Sequence, residues 1–378
     1  MRVLILTDES FASRERSMLS RLEVGLVDDG IRVIHGMPRK AAAWHHPEVF
    51  SQFVEYESKG SALSRGWRVR QVLRSLEELT DGDGSPADVI HCFGQGCWGF
   101  GSELAGLTGA SLAIELWCAE LVGQSVRIRS TRGRSHGDSS GRTGGIQTPV
   151  YFVSDPALER AVRTQDPNLQ MRLTPWGVHT PGQALSILTP DRTVSVMLIG
   201  SGRDPAAINA ALQGIAQVAA RHDEIMVFAD GAVIRAAGSW PTVRKLGLLG
   251  RFTLIPDMEA RRELGLRADI LLMPEARGEQ RSLLLDAMAH GMLVIAATDP
   301  LCSALSDSRT ARLVDKPTAD RWSAALGWAL DDRDNARSLA WGGREHVRLN
   351  RRASSYVASV VDAYEWMSAG EAIPFAMR

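Results

Sequence analysis

The sequence predicts an α/β protein built from two parallel-sheet domains, and three observations predict it. Short apolar runs recur at residues 2–7, 88–94, 111–116, 194–199 and 270–273. The run Ile270–Met273, ended by Pro274, suits a parallel strand buried on both faces. Stretches with helical apolar spacing alternate with these runs, as at Met18, Leu19, Leu22 and Leu26. Finally, 378 residues suffice for two domains that each bury a core.

Composition narrows the function classes. The formal net charge is −1, so no global charge draws the chain to nucleic acid or to an acidic membrane. Cys92, Cys97, Cys118 and Cys302 show no metal-ligand spacing, and reduced thiols in a cytoplasmic protein are the expectation. The adjacent His45 and His46 point in different directions on any regular element, so no metal pair is expected there. The apolar run at the start is too short for a signal peptide. No stretch of roughly 18 apolar residues marks a membrane span.

Taken in order, residues 2–7 form a strand, Ser10 to Asp29 a helix stopped by Gly30, and Ile31 to His35 a second strand. Residues 37–60 read as irregular. Residues 62–79 form an amphipathic helix in which Arg65, Arg68, Arg70 and Arg74 interleave with Trp67, Val69, Val72, Leu73 and Leu76. Its plain reading is a solvated basic face; its functional reading is contact with an anionic acceptor or a membrane surface. The strand from Asp88 to Gly94 carries His91, either a structural histidine of the core or a site residue. A helix near Trp98–Leu107 leads to the strand Ser111–Leu116. Residues 127–147 set Arg127, Arg129, Arg132, Arg134 and Arg142 among Ser and Gly, a composition for a basic loop over a phosphorylated ligand or for a neutral insertion.

A strand at 149–155 and a helix at 156–163 close the first half, and Pro181, Gly182 and Pro190 mark a linker over 180–192. The second half opens with the strand Val194–Ile199, the loop Gly200-Ser-Gly-Arg203 and a helix from about Pro205 to Ala220. A Gly-x-Gly between strand and helix lets backbone approach a diphosphate closely. Strands near 224–231 and 246–255 follow. After Ile270–Met273 comes the polar loop Arg277–Arg281, then Ser282 as N-cap of the helix Leu283–His290, stopped by Gly291, and the strand Leu293–Ala296. The free amides and dipole of that helix start suit a phosphate. A strand at 311–314 and helices at 318–331, 333–347 and 353–367 complete the chain.

Ala268-Asp269-Ile-Leu-Leu-Met-Pro274, followed by Leu-Leu-Asp286-Ala-Met-Ala-His-Gly-Met-Leu-Val-Ile-Ala296, resembles the donor-site signature of family-four glycosyltransferases. That family reads Ala-Asp, an apolar run, Pro-Ser, two glutamates eight apart, then Ala-Met-Ala-x-Gly-x-Pro-Val. Here the second glutamate falls on Asp286 and the first on Gly278, with Glu279 one residue late and Glu275 upstream. Other departures accompany these. The Arg-Lys pair after the Gly-x-Gly keeps only Arg203. The sugar-site histidine is replaced at Glu115 and Leu116. The Gly-Gly loop after the first strand is replaced by Asp8-Glu9-Ser10.

The resemblance implies the GT-B fold: two Rossmann-like domains facing across a cleft, residues 1–180 on the acceptor side and 181–350 on the nucleotide-sugar side, with a terminal segment from 351 crossing back. It implies a retaining, metal-independent transfer from a nucleotide-sugar, with no separate cofactor, to a glycan, lipid-linked or small-molecule acceptor. By the same resemblance Gly200, Gly202 and the amides of Ser282 and Leu283 cradle the diphosphate, Arg203 and Arg281 supply positive charge, and Asp286 accepts from the ribose. Glu279 approaches the sugar, and His91 or Glu115 lines the acceptor side. The departures support a rival of another class, a catalytically inactive GT-B protein that binds a partner or a glycan.

Overall fold

A computed structural model gives the fold; it describes residues 1–42, 52–57, 62–79, 85–121, 148–190 and 192–369. His45, His46 and the basic stretch 127–147 lie outside the described residues. The chain divides into two compact units. One is Met1–Pro175 together with the segment from Ser354; the other is Trp176–Ala353.

The first unit holds strands β1 (Arg2–Thr7), β2 (Arg32–Pro38), β3 (Gln52–Tyr56), β4 (Val89–Phe93), β5 (Ser111–Leu116), β6 (Val150–Val153) and β7 (Met171–Leu173). They form one parallel sheet in the order β3-β2-β1-β4-β5-β6-β7. The second unit holds β8 (Val194–Leu198), β9 (Ile225–Asp230), β10 (Phe252–Ile255), β11 (Ile270–Met273), β12 (Leu293–Ala297) and β13 (Arg312–Val314). Their order, β10-β9-β8-β11-β12-β13, repeats the winding of the first sheet. In both sheets the chain winds outward in two directions from a central pair, β1–β4 and β8–β11. The crevice at the carboxyl end of such a pair is where open α/β sheets take ligands.

The central strands are buried along their whole length, as the continuous apolar runs require. Two readings change. Within residues 37–60, β2 runs on to Pro38 and β3 adds an edge strand with Val54 and Tyr56 turned inward. Pairing with β2 supplies an order that local propensity does not. The expected helix Ser10–Asp29 is two, Glu9–Ala12 and Arg16–Asp28, because Asp8 caps the first turn through Phe11 N–H (2.7 Å) and the chain turns again at buried Glu15.

The last helix, Ala353–Ser368, packs into the first unit. Tyr356 OH reaches Met18 Sδ at 3.5 Å, the Tyr364 ring lies 5.6 Å from that of Phe152, and the Arg172 guanidinium sits 4.0 Å above Trp366. Gly25 leaves room for the Val357 side chain where any Cβ would collide with it. At the far side of the sequence, Asp269 shows what its motif position does. Its carboxylate accepts from Leu188 N (2.7 Å), Ser195 N (2.8 Å) and Ser195 Oγ (2.7 Å), tying the lead-in segment and β8 to β11.

Asp269→Ala should therefore lower the stability of the second unit by about 2–4 kcal/mol, because charge-assisted bonds are lost and part-buried amides are left without acceptors. Urea unfolding followed by tryptophan fluorescence measures it; an unchanged midpoint would show that the Asp269 bonds are dispensable.

Candidate active site

The β8–β11 crevice is assembled from two strand ends. β8 runs into Gly200-Ser201-Gly202-Arg203, and Asp204 then caps the helix Pro205–Ala219 through Ala207 N–H at 3.0 Å. β11 runs through Pro274 into Glu275. The Glu275 carboxylate lies on the glycine loop. Oε2 accepts from the N–H groups of Ser201 and Gly202 (2.9 Å for Gly202), and Oε1 accepts from Ser201 Oγ (2.8 Å) and Asp204 N (2.9 Å). Consecutive amides converging on one anion are the arrangement that binds phosphate elsewhere.

The two glycines have separate reasons. A Cβ at Gly200 would strike Glu275 Oε2, so this glycine admits the carboxylate. Gly202 has φ +73°, and a Cβ there would meet Val233 O at 2.6 Å, so its backbone and its neighbours both demand glycine.

Around this contact the structure gathers several predicted residues. Gly200, Arg277, Glu279 and Arg281 line one small pocket with Ser201, Glu275, Asp299 and Cys302. Arg281 is buried and donates through Nη1 to Gly200 O at 3.0 Å. The cavity among them is about 20 Å³, room for about one water. Gly278, at the place of the first family glutamate, has φ +61° and donates its N–H to Asp299 Oδ2 at 2.6 Å. A glutamate at that position would be strained. Arg203 is exposed, with its N–H 3.2 Å from Ser201 Oγ.

Asp286 stands elsewhere. It is buried on the helix Ser282–His290, and its Oδ2 accepts from Arg262 Nε (2.9 Å) and Nη2 (2.6 Å). Arg262 also binds Glu259 (2.5 Å) and donates to Ser282 Oγ at 2.8 Å. That last bond explains a correction: Ser282 is the first helical residue, not the N-cap. Arg281 occupies the cap position, where its side chain makes no capping bond, and the Ser282 hydroxyl accepts from Arg262 instead of capping. Leu283 is fully buried at the same helix start.

Sequence reasoning missed Arg262 and the role of Glu275. Nothing local marks Arg262, which lies 24 residues before Asp286. Glu275 had a signal: a carboxylate directly after a strand-ending Pro, beside a Gly-x-Gly strand end.

In the first unit His91 and Glu115 are wholly buried, on adjacent strands β4 and β5, so neither lines an open acceptor face. His91 Nδ1 pairs with Tyr364 OH at 2.7 Å, and Nε2 lies 3.2 Å from Glu115 Oε2. Burial brings His91 down to about 3, keeping the ring neutral. This is the structural histidine of the two readings. The loop where Asp8-Glu9-Ser10 stands is closed in a similar way to the second unit. Asp8 accepts from Phe11 N and from Gly96 N at 2.8 Å, and burial raises its carboxyl above the usual range despite those amides. Of the basic helix, Arg68 is buried and donates to Glu57 O at 2.6 Å, and Arg65 pairs with Glu103 at 3.0 Å. Trp67, Arg70 and Arg74 face solvent. Among the described residues no cluster of His, Cys, Asp and Glu is placed to hold a metal ion, and no helix is long and apolar enough to cross a membrane.

No protein-family model matches the chain, and no curated protein matches it in sequence. Solved structures do match. Sucrose-phosphate synthase from Thermosynechococcus elongatus superposes with a TM-score of 0.71 over 98% of this chain and 100% of its own, at 14% identity. HepE of Anabaena in complex with UDP-glucose gives 0.70 over 97% and 100%, at 10% identity. WaaG, a glycosyltransferase involved in lipopolysaccharide biosynthesis, gives 0.65 over 98% and 100%, at 14% identity. At these identities the likeness establishes the fold, and the fold is GT-B.

Two outcomes follow from the geometry. Arg262→Ala leaves Asp286 and Glu259 buried without their cation, so unfolding free energy should drop by about 3–5 kcal/mol. Adding Asp286→Asn should recover part of that loss in a double-mutant cycle; strict additivity would deny the pairing. His91 carries the pH dependence. Its folded value near 3 lies below an unfolded value of about 6.5, so only the unfolded chain takes the proton in between. Stability from this residue is complete above about pH 6.5 and is lost as pH falls towards 3. Between pH 7 and pH 5 that is about 2 kcal/mol, read as the difference between wild type and His91→Gln in urea titrations. Parallel curves for the two proteins would show that His91 takes up its proton as readily folded as unfolded.

Proposed function

We propose that the chain is a glycosyltransferase that takes a nucleotide-sugar at the β8–β11 crevice of its second unit and passes the sugar to an acceptor. One observation carries the reading: the loop Gly200–Asp204 already holds an anion, with three backbone amides and a hydroxyl converging on a single carboxylate. Such a loop, at the switch point of a parallel sheet and ahead of a helix of 15 residues, is chemically a diphosphate cradle. Arg281 behind it and Arg203 on it provide the charge that a leaving diphosphate needs most in the transition state. Glu279, on the pocket wall, is the carboxylate nearest in sequence to the missing first glutamate, and we assign it to the sugar. That HepE is complexed with UDP-glucose on the same fold supports a uridine donor as the first to try. The resemblance of the signature to family-four enzymes supports retention of configuration without a metal. Trp67, Arg70 and Arg74 offer an exposed aromatic and basic face to an anionic acceptor or a membrane surface.

A second reading, a GT-B protein that binds without turnover, is favoured by one specific fact. Asp286, the counterpart of the ribose carboxylate, is held by Arg262 inside the unit. An Asp286 committed to an internal cation offers less to a ribose.

Calorimetric titration with UDP, GDP, ADP and their common sugar conjugates separates these. Micromolar binding of one nucleotide, weakened at least tenfold in Arg281→Ala, together with slow donor hydrolysis, is expected. Binding without any turnover across acceptors selects the second reading. Absence of binding by every nucleotide to the folded protein sinks the donor site altogether.

A further inference from the structure

The anion resting in the glycine loop belongs to the chain itself. We infer that Glu275 is a resident competitor for the donor diphosphate, and that the crevice stays closed until this carboxylate is displaced; the inference rests on the nucleotide-sugar reading above. Both Glu275 oxygens are committed, each to two donors of the loop. These are the amides that a diphosphate would need. A carboxylate and a diphosphate oxygen cannot share them, because one N–H serves one strong acceptor and the two anions repel at hydrogen-bond range. The occupancy is therefore exclusive.

Space agrees with charge. With Glu275 in place the cavity among Gly200, Arg277, Glu279 and Arg281 is about 20 Å³, room for about one water. Gly200 points the same way: its missing Cβ is filled by Glu275 Oε2 rather than left open to solvent. The contact is also well anchored on both sides. Pro274 fixes the backbone before Glu275, and Ser201 contributes its hydroxyl as well as its amide.

The device has two exclusive states built from the same groups. In one, Glu275 supplies the acceptors and the loop is folded without donor. In the other, a diphosphate supplies them, and the freed carboxylate moves among the cations Arg277 and Arg281 that line the same pocket. A ligand with two phosphate groups carries more negative charge than one carboxylate, so it is the ligand class able to drive the exchange. Uncharged sugars and nucleosides are not.

A purely supporting role for Glu275 and a competing role predict opposite results. Wild type, Glu275→Gln and Glu275→Ala are to be titrated with pyrophosphate and with UDP, and their melting temperatures recorded with and without pyrophosphate. Glu275→Gln removes the charge and keeps an acceptor, so it stays informative if Glu275→Ala folds poorly. Competition predicts at least tenfold tighter pyrophosphate and UDP binding in Glu275→Ala, an intermediate gain in Glu275→Gln, and a melting temperature of Glu275→Ala that pyrophosphate restores towards wild type. Equal affinity in all three proteins overturns the competition and leaves the donor site standing. Tighter pyrophosphate binding in the variants, with UDP and UDP-sugars bound by none, upholds the competition and overturns the nucleotide-sugar reading. No binding of either ligand by any form overturns both.

Discussion

Backbone N–H groups at the carboxyl edge of a parallel sheet have left the strand ladder and have not yet entered a helix, and they must find acceptors. In this protein carboxylates supply them at several strand ends. Asp8 after β1, Asp155 after β6, Asp204 in the loop after β8, Asp230 ending β9 and Asp299 after β12 each accept from a nearby amide. Glu275 after β11 takes three. Asp8, Asp155, Asp204 and Asp230 each cap the helix that follows, so the strand ends with an acceptor in hand. The same demand creates the candidate site, since a loop that needs an anion accepts one from the chain or from a ligand.

This view separates what the sequence displays from what it conceals. The apolar runs and the helix stops at Gly30 and Gly291 were legible because each depends on local periodicity or on a conformation only glycine adopts easily. The resemblance through Asp269 and the segment around Asp286 correctly pointed to GT-B. The state of the site was not legible. Asp269 and Asp286 read alike as motif carboxylates, yet the first ties β8 to β11 and the second neutralises Arg262. Partners 24 and 74 residues away in sequence decide the matter, and no spacing rule reaches that far.

His91 teaches the complementary point. A histidine near a strand's carboxyl end, one strand from a glutamate, has the look of an acid–base pair. Placed between Phe93, Phe152 and Tyr364 with no exposure, it is a neutral hydrogen-bonding member of an aromatic core. Chemical type and approximate position were the same under either reading; burial chose between them. Two departures from the family pattern are explained on the same criterion. Gly278 and Asp8 are fitted into bonds of their own, with Asp299 and with Gly96, so they are built features of this chain rather than gaps left by missing residues.

The discontinuity of the first unit has a consequence for how the chain comes into being on the ribosome. Its sheet is translated first, but the helix that covers His91 and Phe152 is encoded after the entire second unit. At about 5–20 residues per second, the nascent first unit waits on the order of ten seconds or more with that aromatic face uncovered. The second unit, contiguous in sequence, meets no such delay. The unit born first is thus the one finished last, and the early sheet is the part of this protein most in need of a chaperone during synthesis.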